Sequence, residues 1–190
     1  RSHMTAQVHI LTVGYAGERV ASTVTLIDDA GHLTIIDPGM VASRAAILDP
    51  LAALGHSVDD VADVVFSHHH PDHTLNAALF PQARFHDHWA IYRDDTWTDG
   101  AAEGRAVSPH VSLIATPGHT LEDISTVVES AEGLVVFTHA WWTADGPAVD
   151  PLAADPAAIT ASRRRILDLS PTLVVPGHGP GFRPNETTPA

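Results

Sequence analysis

The segment His68-x-His70-x-Asp72-His73 sets four potential metal ligands within six residues. On an extended strand, residues two apart share a face, so His68 and His70 are expected to converge on one ion. Pro71 interrupts the ladder, and a turn there brings Asp72 and His73 to an adjacent position. Imidazole and carboxylate suit zinc or iron, and the chain has no Cys to offer a soft sulfur ligand. Three more histidines follow stretches that read as strands: His119 in Pro117-Gly118-His119-Thr120, His139 after Leu134 to Thr138, and His178 in Pro176-Gly177-His178-Gly179. Any one of these reads equally well as a packed or loop histidine. Four strand ends each followed by His point to a metal site outside the carboxyl ends of a sheet.

The elements that must carry these residues are short. Val8 to Val13, Val20 to Ile27 and Leu33 to Asp37 are rich in Val, Ile and Thr and read as strands, with Asp28 to Gly31 as a hairpin turn. Asp37-Pro38-Gly39 ends the third strand. Ser43 is the expected cap of a helix running to about Leu54, kinked or shortened by Pro50. Val61 to Phe66 is a buried strand leading into the histidine segment. Phe80 to Pro109 shows little periodicity and reads as loops around short elements. Strands are expected again at Val111 to Ala115, Ile124 to Glu129, Leu134 to Thr138 and Leu173 to Val175. A helix spans Pro156 to Leu169, capped by Asp155. The tail after Pro180 is expected to fray.

Composition removes whole classes of chemistry. Among 190 residues there is no Cys and no Lys, while His numbers 14. That excludes disulfides, thiolate nucleophiles, lysine Schiff bases and a phosphate loop ending in Gly-Lys. The net charge of -13 opposes nucleic-acid binding. Hydrophobic residues make up 44% of the chain, enough for a core, yet no apolar run approaches a membrane span. Arg1-Ser2-His3 reads as a cloning scar before Met4, leaving 4–190 as one domain. With no export signal in view, the chain is expected in the cytoplasm. Its partner is expected to be a small-molecule substrate, without nucleic acid or membrane; the oligomeric state stays open.

In order from Val8 to Gly179, Asp37-Pro38-Gly39, the His68/His70/Asp72/His73 segment, Pro117-Gly118-His119-Thr120 and Gly177-His178-Gly179 resemble the metallo-β-lactamase-fold hydrolase superfamily. The resemblance implies an α/β fold, a four-layer αββα sandwich with a one- or two-metal site along one edge. By the same resemblance His68, His70 and His119 match the ligands of a first ion, and Asp72, His73 and His178 those of a second. Asp37 matches a carboxylate that steadies the ligand loops. There is one departure: His139 stands where a bridging Asp is usual. A neutral imidazole has one lone pair and cannot bridge as a carboxylate does. His139 therefore binds one ion terminally, supports another ligand, or marks weaker occupancy of one position. Asp145 is a fallback bridge, though its Gly-Pro turn favours a capping role. Pro117 to Val128 also resembles the group around metallo-β-lactamase domain-containing protein 1, which keeps phosphodiester cleavage as an option.

These residues imply a hydrolase in which Zn2+, or alternatively Fe or Mn, activates water, with Asp72 orienting it. The expected substrate is a small ester, thioester, lactone or amide. The alternatives are a mononuclear-iron oxidoreductase like the persulfide dioxygenases, a phosphodiester hydrolase, and a silent metal-binding module. Trp141 and Trp142 are candidates for an apolar pocket wall, and Trp89, Tyr92 and Trp97 for its rim. His69 is expected to pack away from the centre. His86, His88 and His110 read as loop residues, any of which can protonate a leaving group. Arg163-Arg164-Arg165 reads as a solvated helix face.

Overall fold

The structure is a computed structural model that describes residues 5–190, so Arg1 to His3, read as a cloning scar, lie outside the described residues. The chain opens with strands β1 (Gln7–Thr12), β2 (Val24–Asp29) and β3 (His32–Ile36), then helix α1 (Ala45–Ala53). Strand β4 (Val61–Val65) leads into a helical turn, α2 (Pro71–Thr74). Strands β5 (Arg84–His86), β6 (Ala90–Arg93), β7 (Thr96–Asp99) and β8 (Ala106–Ser108) follow. Strands β9 (Val111–Ala115), β10 (Ile124–Ser130) and β11 (Gly133–Phe137), helix α3 (Pro156–Asp168) and strand β12 (Leu173–Val175) complete it. No helix among the described residues is long and apolar enough to cross a membrane.

The strands form a seven-stranded sheet in the order β1 to β7 and a five-stranded sheet in the order β12-β11-β10-β9-β8. Side-chain alternation sorts the apolar residues into three layers. Ile27, Ile36 and Val65 from the first sheet meet Leu113, Ile124, Val135, Phe137 and Val175 from the second. Ile47 and Leu51 of α1 cover Leu33, Ile35 and Val64 on the outer face of the first sheet. Ile166 of α3 covers Val136 and Val174 on the outer face of the second. The result is the αββα sandwich. Parallel pairs β3–β4 and β11–β12 carry the chain ends that matter to one edge.

Several expectations change. The Phe80 to Pro109 region holds four strands, because pairing with β4 and β9 supplies the order that periodicity does not show. Val20 to Thr23 lies before β2, not in it. Helix α1 starts at Ala45, where Ser43 Oγ accepts from Ala45 N at 3.3 Å, and it continues through Pro50. The tail is anchored: Phe182 and Val174 exchange backbone hydrogen bonds, and Trp141 Nε1 donates to Pro189 O at 2.6 Å. Asp155 caps α3 as expected, accepting from Ala158 N at 3.1 Å. Arg163 is buried, not solvated, because three backbone carbonyls, Ala140, Pro147 and Ala148, accept from its guanidinium.

A buried carboxylate, Asp63, ties β3, β4 and β5 together. It accepts from His32 Nε2, His86 Nε2 at 2.6 Å and Arg84 Nε at 2.9 Å. Burial pushes its pKa up, but the hydrogen bonds from His86, Arg84 and His32 outweigh burial and hold it below the ordinary 3.8. Its stabilising effect is therefore present above the unfolded carboxylate value and is lost as pH falls through its lower folded value. Asp63→Asn is expected to cost about 3 kcal/mol at neutral pH, since breaking a buried pair strands its partners. Denaturant unfolding at pH 7 checks this.

Candidate metal centre

The ligand-bearing loops start where the strands end. Asp37 follows β3 in a left-handed conformation, φ 51°, and receives Ser67 N at 2.7 Å, Ser67 Oγ at 2.7 Å and His73 Nδ1 at 2.9 Å. Gly39 lies against α2 so closely that a Cβ there would sit 1.7 Å from the carbonyl oxygen of Asp72, so only glycine fits. His68 and His70 lie beyond the end of β4, in a loop, and converge through its turn; strand alternation is not the cause. His73 lies on α2, His119 after β9, His139 after β11 and His178 after β12.

The outer nitrogens identify the tautomers. His73 Nδ1 meets the Asp37 carboxylate, His119 Nδ1 meets Asp150 Oδ2 at 2.7 Å, and His178 Nδ1 meets Ala21 O at 2.9 Å. Each partner can only accept, so Nδ1 carries the proton. Ser67 Oγ donates to Asp37 and thus accepts from His68 Nδ1 at 2.9 Å. The four Nε2 atoms are left to face inward, where they could serve as ligands. His70 turns Nδ1 toward His68 Nε2 at 3.0 Å and His119 Nε2 at 3.1 Å. Across the site His73 Nε2 lies 3.3 Å from His178 Nε2, and Asp72 Oδ2 lies 3.2 Å and 3.4 Å from these two nitrogens.

His139 is at the middle. Its ring is 4.1 Å from that of His119, 4.7 Å from His68, 4.8 Å from His73 and 5.1 Å from His178. Neither of its ring nitrogens has a hydrogen-bond partner among the described residues, though both are buried. His68, His119 and His139 form one compact donor group, and His73, His139 and His178 another, with donor atoms within 4.8 Å of one another. Buried imidazoles without partners, and lone pairs facing each other at hydrogen-bond distance, fit a cation. A nitrogen-rich set with one carboxylate suits zinc or iron.

Burial and the neighbouring imidazoles hold His68 and His139 well below the ordinary histidine value. Burial also pulls on His73, but the Asp37 and Asp72 carboxylates prevail and raise it to about 9. Asp72 is held down to about 2: burial opposes this, and the His73 and His178 side chains outweigh it.

A cavity of about 650 Å³ opens onto the centre. His70, Asp72, His119, His139 and His178 form its polar wall, and Val20, Met40, Trp142 and Leu152 are among the apolar residues opposite. Trp142 lines the cavity as expected. Trp141 does not: it is buried in the core beside Ile166 and Val174. The expected rim residues lie elsewhere. Tyr92 and Trp97 meet edge to face in the β6–β7 hairpin, and Trp89 stacks on His69, which also meets Asp87 at 2.8 Å. His86 and His110 are committed to Asp63 and Asp29, and neither they nor His88 line the cavity. Asp145 is exposed in the Thr143 to Gly146 turn, away from the cavity lining.

Two supporting residues escaped the sequence reading. Asp150 accepts from both His119 Nδ1 and Trp142 Nε1, the latter at 3.1 Å. Asp123 accepts from Thr120 N at 2.9 Å and Thr120 Oγ1 at 2.6 Å, fixing the loop that carries His119; burial raises its pKa to about 7. Asp150 lies in no motif, and Asp123 lies within the Pro117 to Val128 segment without a residue pattern that marks its role.

The Metallo-beta-lactamase superfamily profile matches residues 17–140. Metallo-beta-lactamase domain-containing protein 1 of Xenopus laevis is 34% identical over 93% of this chain and 81% of its own length. The human protein of the same name is 38% identical over 78% of this chain, and the match spans 59% of its length. Among solved structures, a metallo-beta-lactamase-like protein of Thermotoga maritima superposes with a TM-score of 0.72 at 22% identity, covering 95% of this chain and 100% of its own. A B. thuringiensis AiiA variant with N-decanoyl-L-homoserine at its active site has a TM-score of 0.69 at 18% identity, covering 92% of each chain.

Asp150→Asn is expected to weaken metal affinity about 10- to 100-fold while far-ultraviolet dichroism stays unchanged, because it frees the His119 ring; competition with a chelator measures it. The His73 contacts yield a second expectation. In the metal-free protein they stabilise the fold fully below the ordinary histidine value of 6.5 and fade as pH rises through about 9. Ion uptake at pH 7 must then release a proton, and affinity must fall as pH drops. Calorimetry in buffers of different ionisation enthalpy checks this.

Proposed function

The chain belongs to the metallo-beta-lactamase superfamily, and we propose that it is a metal-dependent hydrolase of a small neutral ester, thioester, lactone or amide. The observation that carries this reading is the wall of inward-facing imidazoles and one carboxylate at the floor of an otherwise apolar cavity. His68, His70 and His119 would hold one ion, and Asp72, His73 and His178 a second. A bound ion supplies Lewis acidity and lowers the pKa of its water. With no Cys and no Lys in the chain, water is the fitting nucleophile. Asp72, on α2 and in the cavity lining, would orient it.

The substrate class follows from the walls. Val20, Met40, Trp142 and Leu152 offer apolar contact, and no Arg is among the cavity-lining residues. A phosphodiester would meet only the ions themselves as cationic partners, with no Arg in the lining to take the rest of its charge. An acyl group beside a neutral carbonyl fits better, in keeping with the N-decanoyl-L-homoserine bound at the active site of the B. thuringiensis protein. Zinc is the proposed ion.

A panel of lactones, thioesters, β-lactams and phosphodiesters, run on zinc-loaded protein, tests the reading. Acyl substrates should be turned over at least about 100-fold faster than phosphodiesters, and His70→Ala should remove most bound metal and all turnover. Phosphodiester cleavage as the dominant activity would overturn the substrate class. Iron in the purified protein, with oxygen consumed on a persulfide, would replace hydrolysis by the oxidoreductase reading. Undiminished metal and turnover in His70→Ala would mean that the site is misassigned.

A further inference from the structure

His139 raises a question that the six other donors do not. Those six divide evenly: His68, His70 and His119 on one side, Asp72, His73 and His178 on the other. Each half thus offers three side chains, one short of the four that close a tetrahedral zinc site. His139 is the seventh donor, and it belongs geometrically to both halves. A carboxylate there could give one oxygen to each ion. A neutral imidazole has one lone pair and can serve only one.

The ring is also held in place. A Cβ on Gly177 would lie 2.3 Å from His139 Cδ2 and 2.8 Å from Nε2, so Gly177 leaves just the room this ring needs. Of the four neighbouring imidazoles, His119 is nearest, at 4.1 Å, and His178 farthest, at 5.1 Å. The Asp72 half faces the same cavity.

We propose that His139 makes the two ion positions unequal. It serves as a fourth protein ligand for the ion held by His68, His70 and His119, and leaves the ion at Asp72, His73 and His178 with three protein ligands and an open coordination position. The first ion is then tightly held and the second exchangeable, with water admitted beside Asp72. This inference rests on the metal-centre reading above, and it replaces a carboxylate-bridged pair by a closed position next to an open one.

Zn2+ titration of chelator-stripped full-length chain by calorimetry tests it, together with metal content after dialysis. Wild type is expected to take up one Zn2+ tightly and a second at least about tenfold more weakly. His139→Asp should bring the two affinities within about threefold of each other, because a carboxylate can bridge. His119→Ala should abolish the tight step, whereas His178→Ala should abolish only the weak one. If His139→Asp does not fold, judged by circular dichroism, His139→Ala decides: its tight step must weaken at least about tenfold. Two ions of equal affinity in wild type, an unchanged gap in His139→Asp, or an unchanged tight step in His139→Ala each overturn the proposal. Equal affinities would leave the hydrolase reading standing; a chain that takes up no ion fails that reading instead.

Discussion

The carboxylate of Asp37 holds two ligand loops at once. It accepts the backbone and hydroxyl of Ser67, next to His68, and the Nδ1 of His73. Through Ser67 Oγ it also orients His68. Its backbone is left-handed, a conformation that costs a non-glycine residue on the order of 1 kcal/mol, and those three hydrogen bonds offset it. The close approach of Gly39 to Asp72 then fixes α2 against the same turn. Asp150 and the Ala21 carbonyl do the equivalent work for His119 and His178. The inward nitrogens of His68, His73, His119 and His178 are thus aimed by acceptors outside the centre.

That arrangement explains why the sandwich matters to the chemistry. Loops leaving β3 and β4 come from one sheet; those leaving β9, β11 and β12 come from the other. The apolar layer between the sheets sets their separation, and cross-sheet hydrogen bonds lock the edge: Thr23 N to Gly177 O and Ile124 N to Ser67 O, both at 2.9 Å. Arg163 reaches from α3 to three carbonyls of the loop after β11, bracing the segment between His139 and Asp150. The centre is rigid because it is the seam between two layers, not a loop laid over one.

Much of this was legible beforehand, for definite reasons. Strands such as β3, β9 and β12 are rich in apolar residues and are closed by a Pro within two residues of their ends, so their limits can be read within a residue or so. Asp155 and Pro156 mark the start of α3 in the same way. The β5 to β8 region was opaque because its strands are short and partly exposed, and their order comes from neighbours distant in sequence. Arg163 defeated the surface reading of Arg163-Arg164-Arg165, since its charge is met by carbonyls that no local pattern announces. Trp141 and Trp142 are adjacent and chemically alike, yet one is core and the other cavity wall.

The sequence by itself determined the donor inventory: imidazoles after strand ends, one carboxylate among them, no sulfur and no lysine. It also excluded thiolate and lysine nucleophiles, and showed that a histidine stands where a bridging acid is usual. Only the tertiary structure decided which donors meet, how each is oriented, and that His139 lies between both groups without a hydrogen-bond partner. The reason is physical. Ligand chemistry resides in single side chains and is written in the residue type. Convergence depends on distances between strands of two different sheets, and those are set by packing.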